Sequence, residues 1–195
     1  MKSNLKLIGG QRIESPKSNI TRPTTLMVRE SLFNILRSKV INSNWLDLFC
    51  GTGSVSCEAI NHGAKKIVAI EKNKINADIC LRNISSLKQV KGRLNDVEVI
   101  RKDAINWIKS DNLISKSRII NSKEFEFDYV YVDPPYESKY YSLVLNLLKN
   151  KEFIGKHTNI ICEHSKFINI QICDYWKIKD EREYGQTKIT FLVKI

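Results

Sequence analysis

The chain has no cysteine arrangement that could build a framework: Cys50, Cys57, Cys80, Cys162 and Cys173 are odd in number, scattered, and never spaced as C-x-x-C. That pattern argues against a disulfide scaffold and against a zinc site, and leaves reduced thiols serving as small core residues. His62, His157 and His164 likewise lack ligand spacing, although His164 follows a strand-like run, Asn159 to Glu163, that would carry it to a sheet edge. No stretch approaches the ~20 apolar residues of a membrane span. The start Met1-Lys2-Ser3-Asn4 reaches Gly9-Gly10 without the apolar core of a signal peptide. The expectation is therefore a cytoplasmic monomer with no metal and no membrane contact. Repeats and low-complexity tracts are also missing, and 195 residues suit one domain large enough to bury most of its surface.

Charge is what the chain has in excess. Lys and Arg number 32 against 21 Asp and Glu, a formal +11 that favours a polyanionic partner. Residues 1–42 hold eight basic residues against two acids, so +6 of that surplus precedes residue 43. The bland reading is a solvated basic tail. Against it stand Leu32, Phe33, Leu36 and Val40, which recur at helical steps after Pro23. The expected organisation is a basic contact segment with its helix over 1–42 and a catalytic domain over 43–195.

Asp133-Pro134-Pro135-Tyr136 is the most informative motif. The preceding Tyr129-Val130-Tyr131-Val132 reads as a strand buried on both faces of a parallel sheet. Two prolines then end the ladder and leave an aspartate at the carboxyl edge, where open α/β sheets place ligands. Asp133 and the Pro134 carbonyl can each accept an N–H, and Tyr136 offers a stacking face, which together suit the amine of a nucleobase.

Trp45 to Phe49 reads as a second strand, running into Cys50-Gly51-Thr52-Gly53 and a helix from Ser54 to His62. Glycines there allow positive φ and close backbone approach. Ser56 replaces the third glycine of G-x-G-x-x-G, which weakens a dinucleotide reading and favours a smaller cofactor. Ile67 to Glu71 forms a further strand, its acid 20 residues after Gly51, the spacing of a ribose-binding carboxylate.

In this order Asp47-x-Phe49-x-Gly51-Thr52-Gly53, Glu71, Asp103-Ala104 and Asp133-Pro134-Pro135-Tyr136 resemble the motifs of class I S-adenosylmethionine methyltransferases acting on amino nitrogens. Ile8-Gly9-Gly10, Arg22-Pro23-Thr24 and Val28-Arg29-Glu30-x-Leu32-Phe33-Asn34 resemble the amino-terminal signature of the RsmD family, which methylates N2 of a guanine in 16S ribosomal RNA. Tyr184-Gly185-x-Thr187 is similar to that family's last turn. The resemblance implies a cofactor site of Asp47, Phe49, Gly51, Gly53, Glu71, Asp103 and Ala104, and a catalytic corner of Asp133, Pro134 and Tyr136. It also implies RNA contact through Arg12, Arg22, Thr24 and Arg29. The substrate would be 16S rRNA within a partly assembled small subunit, since one small domain has little surface for reading a long sequence. Gln11-Arg12-Ile13 is shorter and less basic than the stretch many members carry, which implies weaker RNA contact there.

The fold expected is Rossmann-like α/β, a mostly parallel seven-stranded sheet with helices on both faces. Further elements are a helix through Ala77, Cys80, Ile84 and Leu87, a strand over Val97 to Ile100, and a helix through Tyr141, Val144, Leu145 and Leu148. Strand-like segments at Ile168 to Ile178 and Lys188 to Val193 are linked too tightly for a crossover helix, so they must be antiparallel. Residues 111–126 read as a surface loop beside the site. Two other readings stay open: an adenine-N6 methyltransferase on DNA or RNA, and a non-catalytic RNA-binding assembly factor on a degenerate cofactor fold, which should have lost Gly51, Gly53, Glu71 or Asp133.

Overall fold

The structure, a computed structural model, describes residues 3–16, 24–91, 96–110, 117–120, 122, 124–135 and 138–195. A hairpin of β1 (Ser3–Lys6) and β2 (Arg12–Ser15) comes first, its turn using Gly9 and Gly10 at positive φ. Helix α1 (Leu26–Leu36) follows, started by Thr25, whose hydroxyl accepts the Val28 N–H at 3.3 Å. A 3-10 turn over Arg37–Val40 leads to the main sheet.

That sheet contains β3 (Asn44–Asp47), β4 (Lys66–Glu71), β5 (Asp96–Arg101), β6 (Tyr129–Val132), β7 (Asn159–Ser165), β8 (Trp176–Tyr184) and β9 (Thr187–Lys194). Their spatial order is β5-β4-β3-β6-β7-β9-β8, with β9 antiparallel to both neighbours and the other pairs parallel. The chain order thus reverses at β3 and β6, the switch point where such sheets bind ligands. Helices α2 (Ser54–Asn61) and α3 (Lys74–Lys91) cover the α1 face; α4 (Ala104–Lys109) and α5 (Ser138–Leu148) cover the other. Side-chain alternation divides the strands between two cores. Trp45, Ile67, Tyr129, Tyr131 and Ile161 pack with α1 to α3, whereas Leu46, Val68, Val130, Val132 and Ile160 pack with α4 and α5.

Three expectations need correction. The strand expected over Ile168 to Ile178 starts at Trp176 and runs to Tyr184, with an irregular register between Ile178 and Asp180, so only Gly185 and Gln186 separate it from β9. The described part of 111–126 is not a surface loop beside the site. Ile119, Ile120 and Phe125 are buried in the α4–α5 core, Ser117 bonds Glu98 on the edge strand β5 at 2.6 Å, and the Glu126 carbonyl bonds Asn44 at the amino end of β3. Burial of these three apolar side chains outweighs the polar character of their neighbours.

The third correction concerns Arg29, which is 0% exposed and so is not available to RNA. Its Nη1 donates to the Thr24 carbonyl, its Nη2 to the Lys6 carbonyl at 2.5 Å, and its Nε lies 3.5 Å from Glu58 Oε1. The same Glu58 oxygen accepts the Ile8 N–H at 2.7 Å. One buried ion pair thereby ties the hairpin, α1 and α2 together, and Leu7 and Ile13 of the hairpin share a core with Trp45 and Ile60. Removing one member strands the other charge, so Arg29→Ala should lose about 3–5 kcal/mol in urea unfolding. Arg29→Met combined with Glu58→Leu should lose less than either change alone; strictly additive losses would disprove the coupling.

Candidate active site

The turn joining β3 to α2 is shaped by its glycines. Gly51 has φ 53° and Gly53 φ 81°, and a Cβ on Gly53 would sit 2.5 Å from Cys80 Sγ, so no other residue fits there without displacement. The Gly53 N–H closes the turn on the Cys50 carbonyl at 2.7 Å. Asn83 of α3 holds it from behind, donating to the carbonyls of Thr52 (2.9 Å) and Glu14 (3.0 Å), which links the turn to the hairpin.

Four acids stand at or just after the carboxyl ends of β3 to β6. Glu71, at the end of β4, accepts the Gly51 N–H at 3.0 Å and the Asn73 N–H at 2.6 Å, one on each oxygen. Asp103 caps α4 by accepting the Asn106 N–H at 3.0 Å, with Ala104 buried behind it and Phe49 packed against the same core. Asp47 is 1% exposed; its Oδ2 accepts the Ser56 hydroxyl at 2.7 Å, while its Oδ1 has no partner among the described residues. Burial pushes the Asp47 carboxyl up to about 7; hydrogen bonds from Ser56 and the Phe49 N–H oppose this, and the charges of Glu71 and Glu163 add to it.

The fourth acid, Asp133, stands half-buried at the end of β6, with Pro134 buried behind it. Its proton affinity is raised well above the usual carboxylate range, by burial first, then by Glu163 and Asp47. Glu163 lies within β7, directly after Cys162, and is buried. The Tyr131 hydroxyl donates to its Oε2, and the Tyr141 hydroxyl donates to its carbonyl at 2.5 Å.

The sheet thus gathers Asp47, Phe49, Gly51, Gly53, Glu71, Asp103, Ala104, Asp133 and Pro134 along one edge. Tyr136 and Arg22 lie outside the described residues. Arg12 is exposed on β2, but Thr24 is buried, its Oγ1 3.4 Å from the Tyr131 hydroxyl, so it does not present itself to RNA. His164 turns away from Asp133 onto the α5 face, bonding Thr190 Oγ1 at 2.9 Å beside the Tyr141 ring. Glu163, Tyr131 and Ser56 join these residues without belonging to the candidate site that the motifs mark. Glu163 follows the apolar run Ile160 to Cys162 much as Glu71 follows Ile67 to Ile70.

Because Asp47 titrates near 7 in the folded chain against 3.8 for the free side chain, the folded state binds its proton more tightly. The associated stability is full below about pH 4 and disappears as pH rises through about 7. Asp47→Asn carries no such titration, so its melting temperature should gain on the wild type steadily between those limits. Parallel melting curves across that range would refute the assignment.

A family model described as conserved hypothetical protein 95 matches residues 6–193. Ribosomal RNA small subunit methyltransferase D of Buchnera aphidicola (subsp. Acyrthosiphon pisum) is 30% identical over 183 residues, covering 94% of this chain and 86% of the relative. The solved structure of the Escherichia coli protein yhhF aligns with TM-score 0.79 at 22% identity, covering 98% of each chain. An RNA methyltransferase from Salinibacter ruber in complex with S-adenosyl-L-homocysteine aligns with TM-score 0.61 at 12% identity, covering 89% of this chain and 94% of that one. The last two likenesses speak to fold.

Proposed function

The chain belongs to the family described as conserved hypothetical protein 95, and from that premise we propose that it transfers a methyl group from S-adenosylmethionine to the exocyclic N2 of a guanine in 16S ribosomal RNA. The observation that carries this reading is the juxtaposition of Asp133-Pro134 with the glycine turn across the β3–β6 pair, where Asp47 is in register with Tyr131. The relatives' names supply rRNA as the substrate class; the amine rests on Asp133 and Pro134.

The residues fit S-adenosylmethionine. The partnerless Asp47 Oδ1 wants a donor, the Gly51–Gly53 turn leaves room for close approach, and Glu71 keeps lone pairs for ribose hydroxyls beyond its two backbone bonds. Asp103 and Ala104 would flank the adenine. When bound, this cosubstrate supplies a sulfonium methyl that is already electrophilic. The chain's own task is to align the amine and exclude water. Asp133 and the Pro134 carbonyl would accept the two amine hydrogens, keep the nitrogen lone pair out of the purine π-system, and bind more strongly as positive charge develops there. Tyr136 would receive the base, which must leave its stack to reach the edge.

RNA contact falls to the exposed face of the hairpin, with Lys6 and Arg12, and to the segment holding Arg22. Thr24 and Arg29 would act only by shaping that segment. A partly assembled small subunit holding the target loop outward is the expected substrate, and the chain would work as a cytoplasmic monomer.

Labelled methyl incorporation into small-subunit particles, free 16S rRNA and duplex DNA, followed by mass spectrometry of the nucleosides, tests this. N2-methylguanine from particles is expected; N6-methyladenine, or equal incorporation into DNA, would overturn it. Asp133→Ala should abolish transfer with calorimetric affinity for S-adenosylmethionine kept, and Glu71→Ala should weaken that affinity by about 1–3 kcal/mol. Equal loss of binding in both variants would sink the division of roles. Lys6→Ala and Arg12→Ala should each flatten the dependence of log RNA affinity on log salt by roughly 0.7 for each phosphate no longer neutralised; an unchanged slope would remove the hairpin from the interface.

A further inference from the structure

Glu163 belongs to none of the motifs that marked the site, yet it holds the place on the neighbouring strand nearest the amine-binding corner. Val132 and Cys162 are partners in the parallel β6–β7 ladder, so Asp133 and Glu163 leave that ladder side by side. Alternation puts both on the face that carries Tyr131 and Ile161.

Glu163 is held in a buried network. Besides the bonds from Tyr131 and Tyr141, Thr24 Oγ1 reaches the Tyr131 hydroxyl at 3.4 Å, and all four side chains are at most 8% exposed. What Glu163 adds that an apolar residue could not is negative charge against Asp133. A third acid, Asp47, stands on the same face at the end of β3, in register with Tyr131.

We propose that Glu163 is a positioning residue for amine methylation: anchored as a carboxylate by Tyr131, it makes Asp133 the group that receives the proton leaving nitrogen. The inference rests on the methyl-transfer reading given above. In the step concerned, one N–H bond of the newly methylated, positively charged amine breaks, its electron pair returns to nitrogen, and the proton passes to a carboxylate oxygen of Asp133. The Tyr131 hydrogen bond stabilises the charge on Glu163, and the Ser56 bond does the same for Asp47. Asp133 has no comparable donor among the described residues, so, ionised when the base enters, it is the carboxylate to which a proton released in this corner passes. The titratable groups facing Asp133 are Asp47 from β3, Tyr131 from its own strand, Glu163 from β7 and Tyr141 from α5. Arg29 and Glu58 lie on the same face, engaged with each other.

Glu163→Gln and Tyr131→Phe in the full chain separate this role from a structural one. Carbon-13 carboxyl titration, with the Asp133 signal assigned by its loss in Asp133→Asn, should show the Asp133 midpoint falling by about one unit in Glu163→Gln, because a neighbouring negative charge is gone. Tyr131→Phe should move it the same way, since Glu163 then competes for the proton. The acid limb of the pH–rate profile should follow the titration. On the plateau above that limb, where Asp133 is ionised but a weaker base, kcat should drop several-fold with S-adenosylmethionine affinity and KM for RNA kept, and Glu163→Asp should restore part of it. An Asp133 midpoint unchanged in a folded, cosubstrate-binding Glu163→Gln overturns the inference, as does a slower enzyme whose acid limb stays in place. A wild-type chain that methylates no base amine would overturn the proposed function itself, whatever the titration shows.

Discussion

Three carboxylates share one corner because β3, β6 and β7 are parallel neighbours and the β6–β7 ladder stops at Val132 and Cys162. Asp47 closes β3, Asp133 follows β6 and Glu163 lies within β7 beside it, all on the same face, and burial makes it costly for all three to be ionised. The surroundings decide which of them keeps its charge. Ser56 and the Phe49 N–H support Asp47, Tyr131 supports Glu163, and the proton affinity of Asp133 is left high. The chemistry available at this edge follows from that division, since an acid of high proton affinity beside a proline carbonyl suits an amine that must lose a proton.

The amino-terminal residues are part of the same construction. Arg29 gathers the carbonyls of Thr24 and Lys6 and faces Glu58, while Asn83 bonds both strand β2 and the glycine turn. Thr24 then touches Tyr131, which holds Glu163. A displacement of the hairpin would therefore be felt at the glycine turn and at the acidic corner through hydrogen bonds between buried groups, which tolerate little misalignment. Positive charge at the surface of this region comes from Lys6 and Arg12, with Arg29 serving as its internal clamp.

How legible each part was in the sequence depended on whether its cause was local. The strand Tyr129 to Val132 and its break at Pro134-Pro135 needed only apolar periodicity and the missing proline N–H. The glycine turn and Glu71 needed only spacing. The final antiparallel pair followed from a link too short for a helix, even though its first strand was placed too early. Arg29 departs from expectation because a charged residue in a basic segment reads as exposed until a carboxylate from α2 and a carbonyl from the hairpin are brought against it. Ile119, Ile120 and Phe125 were hidden among polar neighbours, and their burial depends on the α4–α5 layer. His164 drew attention ahead of Glu163, although alternation along β7 sends the histidine to the opposite face from Asp133.

The sequence by itself determined the order of the elements, the glycine turn and the acid-proline corner, since each depends on residues close together in the chain. Only the tertiary structure decided which charges are buried, which carboxylates adjoin and which side chains supply their hydrogen bonds. Those outcomes depend on Glu58 meeting Arg29, and on Glu163 meeting Tyr131 and Asp133, across separations that no local pattern encodes.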